Sequence, residues 1–203
     1  MRIKLSLIFC CLFIFSLTLY SSYSYSQNPP TYLGNKGCNC HKTESKDWQK
    51  SPHGKAFDSL FADKRSRNQN KTLNKLGIDY KKDYNEDEKC LKCHVVGYKQ
   101  AGGYQDASSS ENLQGVGCEM CHGAGSNYAD IHEKKEATYT KAELKAAGEL
   151  FPKNDPQVCL KCHDNKESKF NAEEDKQYKF DHADMVKVEK AWHKIWPLTY
   201  EHK

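Results

Sequence analysis

The sequence holds no apolar run long enough to span a membrane comfortably. Its longest, Leu5 to Leu19, covers about fifteen residues, against the ~20 that a helix needs to cross a bilayer. Arg2 and Lys4 precede it and the small residues Ser24-Tyr25-Ser26 follow, so residues 1–26 read as a secretory signal peptide and the mature chain as Gln27 to Lys203. The alternative is an uncleaved anchor, and only then would the protein touch a membrane. Cys10 and Cys11 fall in this segment, and Phe9 before Cys10 argues against a lipoprotein cleavage site. Any block of like charge is also missing: 31 Lys and Arg are interleaved with 27 Asp and Glu for a net charge of +4, which gives a nucleic acid no basic face. Beyond residue 11, cysteine is absent outside one repeated pattern.

That pattern is what the chain is organised around. Cys90-Leu91-Lys92-Cys93-His94, Cys118-Glu119-Met120-Cys121-His122 and Cys159-Leu160-Lys161-Cys162-His163 each set two cysteines three apart with a histidine directly after the second. This is the attachment signature of a c-type haem, in which both thiols add to vinyl groups and the histidine ligates the iron. Residues i, i+3 and i+4 share one face of a helical turn, so a single short turn grips the macrocycle at three points. Zinc, a redox dithiol or a disulfide would use the cysteines but leave the trailing histidine unexplained.

A contracted copy, Cys38-Asn39-Cys40-His41, has one residue between its cysteines. On an ideal helix they stand about 200° apart and cannot meet one haem. Either the turn is not α-helical, or Cys40 alone is bonded, with Gly37 in the place of the usual first cysteine and Cys38 spare. His41 is the iron ligand in both cases, and an idle exported thiol is a liability that weighs toward two bonds.

Four haem c groups in about 177 residues leave roughly 44 residues each, too few to wrap every cofactor in side chains, so the haems must form much of the core. They also reverse the charge. Without Arg2 and Lys4 the chain carries about +2; eight propionates and four ferric centres bring it to about −2 oxidised and −6 reduced, so the sequence pI of 8.4 misleads.

Such haems need second axial ligands. The stretch from Asp47 to Phe61 predicts a loop entering a helix, with Ser51 as N-cap, Pro52 at the first helical position, and His53 between Trp48 and Phe57 as an iron-ligand candidate. Asp63 to Lys89 is strongly charged and reads as solvated helix or loop, Gly97 to Gly117 as a surface loop, and Lys141 to Leu150 as a short structural helix. His132 lies ten residues past His122 and suits a neighbouring haem. From Asp181 to Trp196 the spacing predicts a continuous helix that carries His182 and His193 on one face about 16 Å apart, too far to serve one iron. His182 can return over the fourth haem; His193 either donates a hydrogen bond to a haem ligand or is itself the ligand of another haem. Met185 is a remoter option, Trp192 and Trp196 suit packing on porphyrin, and His202 suits solvent.

The order of four sites, the stretch Trp48-x-x-Ser51-Pro52-His53-Gly54-Lys55-Ala56-Phe57, the Gly-Cys-Glu-Met-Cys-His-Gly-Ala-Gly segment from Gly117 to Gly125 and the late histidine together resemble the tetrahaem cytochrome c-554 family, the electron acceptors of hydroxylamine oxidoreductase in nitrifying bacteria. The resemblance implies a mostly α fold of helices and loops wrapped around four packed c-type haems, in close parallel and perpendicular pairs. It implies that His132 caps the haem of His41, His53 that of His122 and His182 that of His163, with His94 left open. His193 closing that last iron is the alternative. The function implied is electron relay between exported redox proteins, among them a hydroxylamine oxidoreductase-like donor. An enzyme acting on a small nitrogen oxide at an open haem is the competing class, but no set of catalytic helper residues is legible around any site.

Overall fold

The computed structural model describes residues 28–108, 111–132, 139–188 and 192–194, without the side chain of His132. The signal-peptide segment, Trp196 and His202 lie outside the described residues. Among the described residues eight short helices follow one another: α1 Lys42–Lys50, α2 Arg67–Lys75, α3 Glu88–His94, α4 Cys118–His122, α5 Ala129–His132, α6 Lys141–Ala146, α7 Gln157–His163 and α8 His182–Met185. Single 3₁₀ turns at Asp58–Leu60, Glu111–Leu113, Gly125–Asn127 and Lys176–Tyr178 join them. Among the described residues the only β pairing is an isolated antiparallel bridge between Val95 and Gln114. None of the helices approaches the ~12–15 residues at which a helix becomes marginally stable alone, so tertiary contacts and cofactor must hold them.

Local chemistry still sets where they begin and end. Ser66 and Gln69 form a reciprocal capping box on α2, and Thr140 and Glu143 form another on α6. The run beyond α6 stops at Gly148, whose φ of +104° is open to glycine and strained for other residues.

Two small apolar clusters lie between the helices. The larger joins Phe57 and Leu60, Leu91 of α3, and Val95, Val96, Tyr104 and Leu113. The Phe57 ring meets Phe61 edge-on at 5.5 Å and Tyr104 at 5.8 Å. The smaller packs Tyr128 on Leu144 of α6 and on Ala147, which caps its C-terminus. Both clusters are small, as the low residue count per haem requires, and Cys90 and Met120 of the motif helices pack against the larger one.

Three sequence expectations are corrected here. The first concerns Asp47 to Phe61: α1 runs through Asp47 and ends at Lys50, so Ser51 closes that helix instead of opening the next, and residues 52–57 are turns. Ser51 Oγ donates to Trp48 O at 2.7 Å and accepts from Gly54 N at 3.1 Å, so its hydroxyl still caps a single turn. Gly97 to Gly117 is not merely a surface loop. It folds back on itself, with Val96 N donating to Leu113 O at 2.8 Å and Tyr104 N to Val96 O at 2.9 Å, and it buries Tyr104 fully.

The third is the long C-terminal helix. α8 is one turn, N-capped by Asp181 accepting from Asp184 N, and Trp192 to Lys194 are not helical. Its apolar residues Met185 and Val186 are only half-buried, too little burial for a single turn to propagate.

Candidate haem sites

Each regular motif occupies its own short helix. Asp87 caps α3 by accepting from Lys89 N at 2.9 Å, Asp155 accepts from Gln157 N at 3.0 Å at the start of α7, and α4 is bounded by Gly117 and by Gly123, whose φ is +83°. In all three the two thiols and the imidazole therefore lie within one helical turn. No disulfide joins the cysteines of the four motifs. Among the described residues no three His, Cys, Asp or Glu side chains converge as a closed zinc or iron–sulfur site needs.

The histidines are prepared as neutral ligands. His94 Nδ1 lies 2.7 Å from Ala56 O, which makes Nδ1 the donor and leaves Nε2 for iron. Burial lowers the pKa of His94. Burial, helped by the neighbouring His193 and His41 and opposed by the Leu150 backbone, brings His122 down to about 4.

The contracted site is built differently. Cys38 N donates to Asn35 O at 3.4 Å, Asn39 N to Lys36 O at 3.4 Å and His41 N to Cys38 O at 3.1 Å, all of them three-residue closures. Its turn is therefore of 3₁₀ type, and α1 starts only after His41, whose φ of −89° and ψ of 58° are not helical. Gly37 admits no side chain: a Cβ there would come within 2.5 Å of Leu33 Cβ.

Contacts between cysteines of different motifs order the four sites in space. The sulfurs of Cys38 and Cys118 lie side by side, α4 packs against α7 with Cys121 near Cys159 and Cys162, and the sulfurs of Cys162 and Cys93 lie side by side. The sites thus run His41, His122, His163, His94, not in chain order.

The histidines expected on the distal sides fall as follows. The His53 ring is 6.1 Å from that of His163 and feels His94 as well; burial first, then those two, bring its pKa down to about 4. Its carbonyl accepts from Val116 N at 3.0 Å, and Trp48 Nε1 donates to Val116 O at 2.7 Å, so the loop carrying His53 is laced to the segment entering α4. His53 Nδ1 is buried with no hydrogen-bond partner. Gly115 fits here because its φ is +83° and a Cβ would lie 2.9 Å from Gly54 O.

His182 Nε2 is 2.9 Å from Pro152 O, and Phe180, two residues earlier, stacks on the His163 ring at 4.5 Å. His193 lies within electrostatic range of His122, with Trp192 edge-on to it at 4.7 Å; no contact brings it to His94. The backbone of His132 ends α5, which packs on the Gly125–Asn127 turn. That turn is tied to the segment entering the first site, since Thr31 N donates to Ser126 Oγ at 2.9 Å and Ser126 N to Thr31 O at 3.2 Å.

Two positioning residues went unnoticed in the sequence. Glu119, a variable position of the third motif, is only 2% exposed. Its carboxylate accepts from Leu33 N at 2.9 Å, Gly34 N at 2.7 Å and Gly125 N at 2.7 Å, and so clamps the approach to the first site onto the third. Arg65, 8% exposed, donates to the carbonyls of Ser59, Leu60, Tyr80 and Lys82 and closes the loop beside the His94 site. Glycines flanking Glu119 were the one sequence signal for a buried carboxylate receiving backbone N–H groups; Arg65 sits in a charged run and had none.

A family model described as cytochrome c554 and c-prime matches residues 37–123. Cytochrome c-554 of Nitrosomonas europaea is 33% identical over 198 residues, spanning 89% of this chain and 82% of that protein. The solved structure of the reduced state of that cytochrome c554 is similar at a TM-score of 0.75 and 33% identity, covering 84% of this chain and 88% of the other. With four haem motifs brought side by side and this likeness over nearly the whole chain, the protein belongs to the cytochrome c-554 family and is an electron-transfer cytochrome with four covalently attached haem c groups.

Proposed function

We propose that this cytochrome relays single electrons between redox proteins outside the cytoplasm, accepting them from a hydroxylamine oxidoreductase-like donor, along the spatial order His41, His122, His163, His94. The observation that carries this is the chain of inter-site contacts, Cys38 to Cys118, α4 to α7 and Cys162 to Cys93, which supports haem edges close enough for electron transfer at every step. Haem is held by Cys38 and Cys40, Cys90 and Cys93, Cys118 and Cys121, and Cys159 and Cys162. His132 caps the haem of His41, supported by the packing of α5 on the Gly125–Asn127 turn that is tied to the segment entering that site. His53 caps that of His122, supported by its lacing to Val116; His182 caps that of His163, supported by Phe180 against the His163 ring. His94 keeps an open distal side, and the position of His193 near His122 favours this over closure by His193. Residues 1–26 serve as an export signal, and 27–203 form the haem domain.

The test mixes the oxidised holoprotein with a purified hydroxylamine oxidoreductase turning over hydroxylamine. The expected result is reduction of the cytochrome haem bands at a rate proportional to donor concentration. Reduction by hydroxylamine alone at the same rate would overturn the relay in favour of direct chemistry on the substrate. Electron paramagnetic resonance and carbon monoxide binding should find one high-spin, gas-binding haem, assigned to His94 by its loss in His94→Gly. Four inert low-spin haems would refute the open site.

A further inference from the structure

We propose that the contracted motif is a complete two-thioether haem site, in which a 3₁₀ turn makes up for the missing residue so that Cys38 and Cys40 are both bonded. This rests on the proposed attachment of haem at His41.

In a regular motif the first cysteine precedes its histidine by four α-helical residues, a rise of ~6 Å with the two side chains ~40° apart. At the contracted site Cys38 precedes His41 by three residues in a turn closed by His41 N to Cys38 O at 3.1 Å. Three residues of 3₁₀ winding also rise ~6 Å, and positions i and i+3 eclipse. The first thiol is therefore returned to nearly the place it holds in a regular site. The second thiol is next to the histidine in both motifs, ~120° around the axis here and ~100° in an α-helix. What remains is a wider angle between the two thiols, ~120° in place of ~60°, which the cysteine χ1 rotamers take up.

Two further observations agree. The Cys38 sulfur lies beside that of Cys118 as the Cys93 sulfur lies beside that of Cys162, and the latter two belong to regular motifs. Cys38 thus stands toward its neighbouring site as a haem-bonded cysteine stands, not as a spare one. Reversion to regular spacing is blocked, because a cysteine at position 37 would drive its Cβ to 2.5 Å from that of Leu33, whose backbone N–H is fixed on the Glu119 carboxylate.

Each attachment adds a thiol across a vinyl double bond. The S–H bond and the π bond break, a C–S bond forms at the vinyl carbon next to the ring, and the thiol hydrogen ends on the terminal carbon. No electrons are gained or lost and no atom leaves, so mass counts haems and not thioethers.

The experiment uses the intact holoprotein and reads the two quantities separately. Intact mass should equal the chain plus four haems; three haems would overturn the site at His41 itself. Iodoacetamide under denaturing conditions, with peptide mapping that sets Cys10 and Cys11 apart, should then leave Cys38 and Cys40 unmodified. Four haems with one adduct at either cysteine would overturn only the second thioether. In Cys38→Ala one vinyl group stays unsaturated, so the α band of its pyridine haemochrome should move to the red; four haems with an unmoved band would likewise refute the proposal.

Discussion

Glu119→Gln isolates what a buried carboxylate does inside a haem motif without touching any haem ligand. The wild-type side chain satisfies three backbone donors, from Leu33, Gly34 and Gly125, the last two at 2.7 Å each. The amide keeps the shape but turns one acceptor oxygen into a donor, so one of the short bonds is lost and its N–H faces another N–H. A hydrogen bond to a charged group contributes about 1.5–3 kcal/mol, and a stranded buried donor costs about 1–3 kcal/mol, so a loss of about 3 kcal/mol is expected. For a domain of this size that lowers Tm by roughly 10 °C. The assay is thermal unfolding followed by far-ultraviolet circular dichroism, with hydrogen exchange at the amides of Leu33, Gly34 and Gly125 as the local readout. Intact mass must stay at four haems, which separates a weakened clamp from lost cofactor. A Tm within about 2 °C of wild type, with protection of those three amides unchanged, would refute the clamp.

Arg65→Met removes a buried guanidinium that serves four carbonyls, and should cost about 3 kcal/mol and raise exchange at Tyr84, whose amide donates to Leu60 O, while the count of haems is unchanged. Chemical denaturation checks it, and a midpoint equal to wild type would contradict it. The pH dependence of α6 follows from Glu143, whose carboxyl is held below its ordinary value of 4.5 by hydrogen bonds from Thr140 N at 2.6 Å and Thr140 Oγ at 2.9 Å. A lowered pKa in the folded state means that the unfolded state takes up the proton first. Protection of the α6 amides is therefore full above the ordinary carboxylate range and is lost as pH falls through the lowered value. Glu143→Gln should flatten that response.

The chemistry was legible because it is local. Two thiols and an imidazole within five residues meet the same macrocycle whatever surrounds them, so Cys90, Cys93 and His94, and their counterparts in α4 and α7, could be read straight from spacing. Capping at α6 is equally short in range. The helix expected from Asp47 to Phe61 failed because Ser51 and Pro52 suit the end of one turn as well as the start of another, and only the bond from Trp48 Nε1 to Val116 O, across 68 residues, fixes which. The C-terminal helix failed because periodicity records which side chains could share a face, not whether a surface exists to cover it.

By itself, then, the sequence determined four cofactor sites, the histidine that serves each, and a core too poor in side chains to close without haem. Tertiary structure alone decided that the third motif lies between the first and the fourth, that Glu119 belongs to the clamp and not to the haem, and that the contracted turn winds as 3₁₀. Spacing along a chain fixes geometry over one helical turn of about 5 Å, whereas the order of the sites is set by contacts between residues far apart in sequence, such as Leu33 with Glu119 and Cys38 with Cys118.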